Sequence, residues 1–192
     1  MPIVENNPAV AGASGMLGKN FVYRRAPNGK TIIANRPKKR KGGLSEKQAA
    51  VVNRFRYATE YAKNVTKNPE YKALYQRGIN KQRLILSAYN VAINDCLNPP
   101  TIEEVDVKDY NGEPGKLIRA RAKDDFMVKS VHVTIRNGDE QIIEQGEATP
   151  RGKKGLWRYQ TTVRNLELKG TTVTVVVKDL PENVATKRVT VL

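Results

Sequence analysis

The stretch "VKSVHVTIRNGDEQIIEQG", Val128 to Gly146, decides how the second half of this chain is read. Val131, Val133 and Ile135 alternate with His132 and Thr134, the period of two that sends every second side chain to one face of a strand. Asn137–Gly138 then supplies the strongest short hairpin signal. The same alternation runs outward on both sides. "TIEEVDV" (101–107) reads as a first strand, and "GKLIRARAKDD" (115–125) alternates Ile118, Ala120 and Ala122 with Arg119, Arg121 and Lys123. Downstream, "GLWRYQTTV" (155–163) carries Trp157, Tyr159, Thr161 and Val163 at the same spacing. "TTVTVVVKD" (171–179) and "ATKRVTVL" (185–192) add Val173, Val175, Val177, Val189 and Val191. About seven short strands with regular turn signals over residues 101–192 predict a β-sandwich.

Upstream of Ile102 the period changes from 2 to 3.6. "SEKQ" (45–48) is a capping-box pattern, and Val51, Phe55, Ala58, Ala62 and Val65 follow as one helical stripe. "KNPEY" (67–71) ends that helix, and Pro69 suits the start of another, interrupted at Gly78. "KQRLILSAYNVAINDCL" (81–97) predicts a further helix with Leu84, Ala88, Val91 and Asp95 on one side and Ile85 and Ala92 alongside. It is stopped by Asn98–Pro100. Residues 44–98 therefore read as two or three packed helices.

Before them, residues 1–43 hold nine Lys/Arg against one acid. Within "NFVYRRAPNGKTIIANRP" (20–37), Phe21–Arg25 and Lys30–Ala34 flank a Pro/Asn/Gly turn, which predicts a hairpin with basic ends. A lone hairpin is marginal in water and needs a surface to lie on. The expected fold is α+β: a basic extended arm with a hairpin (1–43), a helical unit (44–98) and a C-terminal all-β sandwich (101–192).

Three quoted segments carry a resemblance. "DDFMVKSVHVTIRNGDEQIIEQGEA" (124–148), "LWRYQTTV" (156–163) and "GTTVTVVVKDLPENVATKRV" (170–189) resemble bacterial immunoglobulin-like repeats. In those repeats a D-x-x-G-N turn precedes the last strand; here Asp179, Pro181 and Asn183 lie in that turn and Glu182 stands where glycine is usual. The earlier half, "GKNFVYRRAPNGKTIIANRPKKRK" (18–41) with "SEKQAAVVNRFRYATEYAK" (45–63), is similar to an uncharacterised family of Bacteroidetes bacteria and their phages. That resemblance implies a setting, because phage particles commonly carry immunoglobulin-like domains on capsid, tail or auxiliary proteins. It implies no activity.

Composition narrows the function classes. Net charge is +15, and residues 98–192, with sixteen bases against fourteen acids, contribute almost none of it. So lopsided a distribution points to a polyanion or an acidic protein surface facing the first half. "RPKKRKGG" (36–43) packs five positive charges into six positions before two glycines, and neighbouring bases extend it. The candidate contact residues are Arg24, Arg25, Lys30, Arg36, Lys38, Lys39, Arg40, Lys41, Arg54 and Arg56. No run of apolar residues reaches membrane-span length and the start lacks a basic n-region, so neither a membrane nor a secretory route is expected.

Catalytic constellations find little support. His132 is the single histidine, and it faces outward in the strand register; Cys96 is the single cysteine and reads as a small hydrophobe near a helix end. Phosphate-loop spacing is missing around "PNGK" (27–30). Asp124–Asp125 with Asp106, Asp109 and Asp179 could gather at one sandwich end and offer oxygen ligands to Ca²⁺, but solvated turn aspartates are the expected reading. No cofactor and no metal is expected.

The sequence is thus read as a non-enzymatic structural or assembly protein, an auxiliary (capsid decoration) protein of a phage virion assembled in the host cytoplasm. Its basic arm would anchor it to protein subunits of the larger assembly. The alternative is a nonspecific nucleic-acid-binding protein that uses the arm and helices.

Overall fold

The computed structural model describes residues 3–4, 10, 12–38, 42–152 and 155–191. The chain divides into two units, Met1–Ser45 and Glu46–Leu192. Its class is α+β, with three α-helices and three sheets among the described residues.

The first unit is a small antiparallel sheet. Its strands are β1 (Ile3–Val4), β2 (Gly15–Leu17), β3 (Phe21–Arg25) and β4 (Thr31–Asn35), in the order β1-β4-β3-β2. The central hairpin pairs Phe21 with Asn35 through to Arg25 with Thr31, one residue later on its second strand than the sequence spacing predicts. Its turn closes through Ala26 N–H donating to Lys30 O at 2.8 Å and Gly29 N–H donating to Ala26 O at 2.9 Å.

In the second unit, α1 (Glu46–Val65) begins directly after Ser45, and α2 (Pro69–Gln76) is capped by Asn68, whose Oδ1 accepts from Glu70 N–H at 2.9 Å. The third helix is shorter than the sequence predicts. Residues 81–97 divide into a 3-10 turn (Lys81–Arg83), a left-handed Leu84 (φ 58°) and α3 (Ala88–Leu97). The break is chemical: Ser87 Oγ accepts from Asn90 N–H at 3.2 Å and so makes a helix N-terminus of its own. Leu84 consequently leaves the apolar face and stands exposed.

Ala58 and Ala62 of α1, Tyr75 of α2, and Ala88, Val91, Ala92, Ile93 and Cys96 of α3 make one apolar cluster. The predicted α1 stripe is only half used, since Val51 and Phe55 are exposed. Length explains this. At about 1.5 Å per residue, a ten-residue helix cannot cover a twenty-residue one.

The remaining strands are β5 (Thr101–Asp106), β6 (Leu117–Lys123), β7 (Val128–Arg136), β8 (Ile142–Glu147), β9 (Thr149–Arg151), β10 (Leu156–Gln160), β11 (Thr172–Asp179) and β12 (Val184–Thr190). They form two antiparallel sheets ordered β5-β6-β10-β9 and β12-β11-β7-β8. Inward residues of both sheets share one core: Ile118, Ala120, Ala122 and Tyr159 from the first, Val131, Val133, Ile135, Val173, Val175 and Val177 from the second. Directly opposed pairs are Val131 with Val177, Val133 with Val175, and Ile135 with Val173. The hairpin after β7 is longer than an Asn-Gly turn requires. Asn137 N–H donates to Gln141 O, and the left-handed residue is Glu140 (φ 64°), so Gly138 is spared that duty.

The helices pack on the end of the β-layers that carries the loops at 124–127 and 179–183. Phe126 and Leu180 join the helical cluster, and the Tyr75 and Phe126 rings stack with centroids 4.7 Å apart.

Candidate functional site

The basic residues singled out by sequence fall into both units. Arg24 and Arg25 lie consecutively on β3, so they address opposite faces of that sheet; Lys30 follows the turn, and Arg36 and Lys38 follow β4. All five are exposed. Lys39, Arg40 and Lys41 lie outside the described residues. Arg54 and Arg56 are exposed on α1 in the second unit. Arg54 already has a structural contact: its Nη2 donates to Leu97 O at 2.9 Å, which satisfies a carbonyl at the negative end of α3.

A second group, which charge counting does not reveal, sits where helices meet β-layers. Asp95 comes from the last turn of α3, Asp124 from the loop between β6 and β7, and Asp179 from the end of β11. One carboxylate oxygen from each lies within 4.8 Å of the others. Asp95 and Asp179 are both 0% exposed. Of the aspartates considered from sequence, only Asp124 and Asp179 are in this group. Asp106 and Asp109 pair instead with Arg119, at 3.6 Å and 2.5 Å, and Asp125 Oδ2 accepts from Asn98 Nδ2 at 2.7 Å.

Each carboxylate is held by identifiable donors. Tyr75 OH donates to Asp95 Oδ2 at 2.6 Å, and Tyr61 OH lies 2.8 Å from Tyr75 OH. Asp124 Oδ2 accepts from Phe126 and Met127 N–H at 2.9 and 2.8 Å. Asp179 Oδ1 accepts from Asn183 N–H at 2.6 Å, and its Oδ2 from Asn183 Nδ2 at 2.7 Å. The same Asn183 amide reaches Asp95 O and Cys96 O, both at 3.3 Å, and so links the β11–β12 turn to the end of α3. Two oxygens are left over: Asp95 Oδ1 and Asp124 Oδ1 are buried and accept no N–H or O–H hydrogen bond.

Burial drives the electrostatics. It pushes Asp95 up to about 8; the Tyr75 hydroxyl opposes the rise, while Asp124, through its charge and a side-chain hydrogen bond, and Asp179 add to it. Asp179 is raised chiefly by burial, against the pull of its Asn183 hydrogen bonds. Burial likewise raises Tyr61 to about 12 and lifts the Tyr75 hydroxyl and the Cys96 thiol. Cys96 is therefore a protonated, packed thiol rather than a nucleophile. His132 lies on β7 opposite Glu147, with Nδ1 3.1 Å from Oε1, on the partly exposed side of the sheet.

Sequence reasoning placed Asp95 on the apolar face of its helix with Ala88 and Val91, and that position was the available signal. A carboxylate among core positions needs a partner. The solvated reading of Asp179 is corrected by its burial, caused by the helices closing over the β11–β12 turn. No protein-family model matches the chain, and no curated protein matches its sequence.

Proposed function

We propose that this chain is a structural component of a larger assembly and that its basic N-terminal unit is the part that docks. The observation that carries this reading is the poverty of that unit's own core. Among the residues of that unit whose burial is described, Ala34 is the only buried apolar one, while Met16, Leu17 and Phe21 are exposed, as are Arg24, Arg25 and Arg36. Four strands of two to five residues with so little burial gain most of their stability from lying on something else. Val51, Val52 and Phe55 leave a further apolar face uncovered on α1.

The β-layers read as an immunoglobulin-like sandwich. Their orders, β5-β6-β10-β9 and β12-β11-β7-β8, correspond to the A-B-E-D and G-F-C sheets of that fold with one strand added beside C. Fold alone assigns such a module no chemistry. Together with the resemblance of the earlier half to an uncharacterised family of Bacteroidetes bacteria and their phages, this favours an auxiliary protein of a virion.

Two measurements test the reading. Mass spectrometry of purified particles should find the protein, and a full-length variant with Arg24, Arg25, Arg36 and Lys38 changed to Gln should fold yet fail to incorporate. Absence from particles sinks the virion assignment. The rival, nonspecific nucleic-acid binding, rests on the +8 balance of residues 1–43. It would be favoured by tight duplex binding whose logarithm falls linearly with log salt with a slope of several charges. Weak binding lost by about 0.15 M salt leaves a protein surface as the partner.

A further inference from the structure

We propose that Asp95, Asp124 and Asp179 bind one hard divalent cation, Ca²⁺, which braces the helices against the β-layers. This inference is independent of the assembly reading and concerns the second unit alone.

Two unsatisfied oxygens point to a ligand. Asp95 is fully buried, and its Oδ1 accepts no N–H or O–H hydrogen bond; Asp124, whose side chain interacts directly with Asp95, also has a buried Oδ1 that accepts none. Unpartnered buried carboxylate oxygens are costly, and native proteins compensate them with a hydrogen bond, an opposite charge or an ion. Among the described residues, the ion pairs formed by Arg119, Lys123, Lys129, His132, Arg164, Lys178 and Arg188 all go to other acids, and none goes to Asp95, Asp124 or Asp179.

Geometry and donor chemistry select the ion. Oxygens held within 4.8 Å of one another fit around a cation at about 2.4 Å from each, since opposite ligands are then about 4.8 Å apart. All three ligand atoms are carboxylate oxygens, the preference of hard cations, and Cys96 Sγ is not among them. Ca²⁺ tolerates irregular, carboxylate-rich sites, whereas Mg²⁺ demands near-octahedral geometry and keeps its waters. The site also lies at the C-terminal end of α3, where the helix dipole is negative and favours a cation. Asp124 lines the cleft formed by Asn98, Pro99, Thr101, Lys123 and Asp125, which gives an ion a path from solvent. Because the ligands come from α3, the β6–β7 loop and β11, binding would couple the stability of the two layers.

The test is calorimetric titration of the full-length, EDTA-treated protein with CaCl₂, paired with thermal unfolding. We expect one Ca²⁺ per chain. The unfolding midpoint should rise by on the order of 5–10 °C at roughly 100-fold excess over Kd, reversed by EDTA. Asp95→Asn and Asp124→Asn each remove a ligand while keeping side-chain size, and each should weaken binding by at least about tenfold. Asp139→Asn, in the β7–β8 turn and outside both the cluster and its cleft, should titrate like the parent. Absence of heat and of any midpoint shift overturns the site, leaving a proton shared between Asp95 and Asp124 as the compensation. Unchanged titration in both cluster variants also overturns it, and tighter binding of Mg²⁺ overturns the assignment to calcium.

Discussion

Tyr75 and Asp95 are both fully buried, and the phenol donates to the carboxylate across 2.6 Å. This bond joins α2 to α3 inside the helical cluster, and Tyr61 extends it to α1 through its own hydroxyl. Three helices are thus tied by a polar chain at the point where they meet the β-layers. Tyr75→Phe removes the donor and leaves Asp95 Oδ2 unsatisfied beside an already orphaned Oδ1. The expected loss is about 2 kcal/mol of stability, read from urea unfolding.

Alkaline pH acts on the same chain. The Tyr61 hydroxyl is raised from 10.0 to about 12, with burial the largest cause and the Tyr75 hydrogen bond opposing it. A raised acid holds its proton more tightly in the folded state, so the unfolded chain ionises first. Tyr61's contribution is therefore fully present below pH 10 and is lost progressively as pH rises toward 12. Urea midpoints at about pH 9 and about pH 11 should differ, and Tyr61→Phe should shrink the difference. An identical difference in the variant would remove Tyr61 from the account.

Gly78 is needed for contact rather than for a turn. A Cβ there would stand 2.7 Å from Val91 Cγ1 and 2.8 Å from Phe126 Cδ2, in the seam between α3 and the β6–β7 loop. Gly78→Ala should cost about 1–3 kcal/mol through overpacking. A variant as stable as the parent would mean that the Phe126 ring moves aside freely.

Glu182 occupies the left-handed position (φ 67°) of the turn that carries Asp179 and Asn183. Its carboxylate pairs with Lys129 and Lys178 at the surface, contacts of small worth. Substituting both Gly and Ala separates backbone from charge, since neither keeps the ion pairs. Glu182→Gly should be more stable than Glu182→Ala by about 1 kcal/mol, the relief of left-handed strain. Equal stabilities would place the turn's geometry under the control of Asp179 and Asn183 alone.

Alternation made much of the β-region legible. Ile118, Ala120 and Ala122, and then Val131, Val133 and Ile135, are the inward residues the period of two assigns. Helix boundaries were less so. The run Lys81–Leu97 has the period of one helix, yet Ser87 caps a new one in its middle, a choice between two local hydrogen-bonding options that periodicity does not register. In the same way Val51 and Phe55 belong to the α1 stripe but are uncovered, because coverage depends on the length of α3 and not on α1.

The sequence by itself determined the α+β class, the alternating core, the concentration of charge in the first half and the presence of one carboxylate on an apolar helix face. Only the tertiary structure decided that Asp95, Asp124 and Asp179 meet. They are 29 to 84 positions apart along the chain, on a helix, a loop and a strand end. Local pattern reports which face a residue occupies; which faces come together is set by burying Phe126 and Leu180 against the helices, a long-range packing choice that brings the three carboxylates with it.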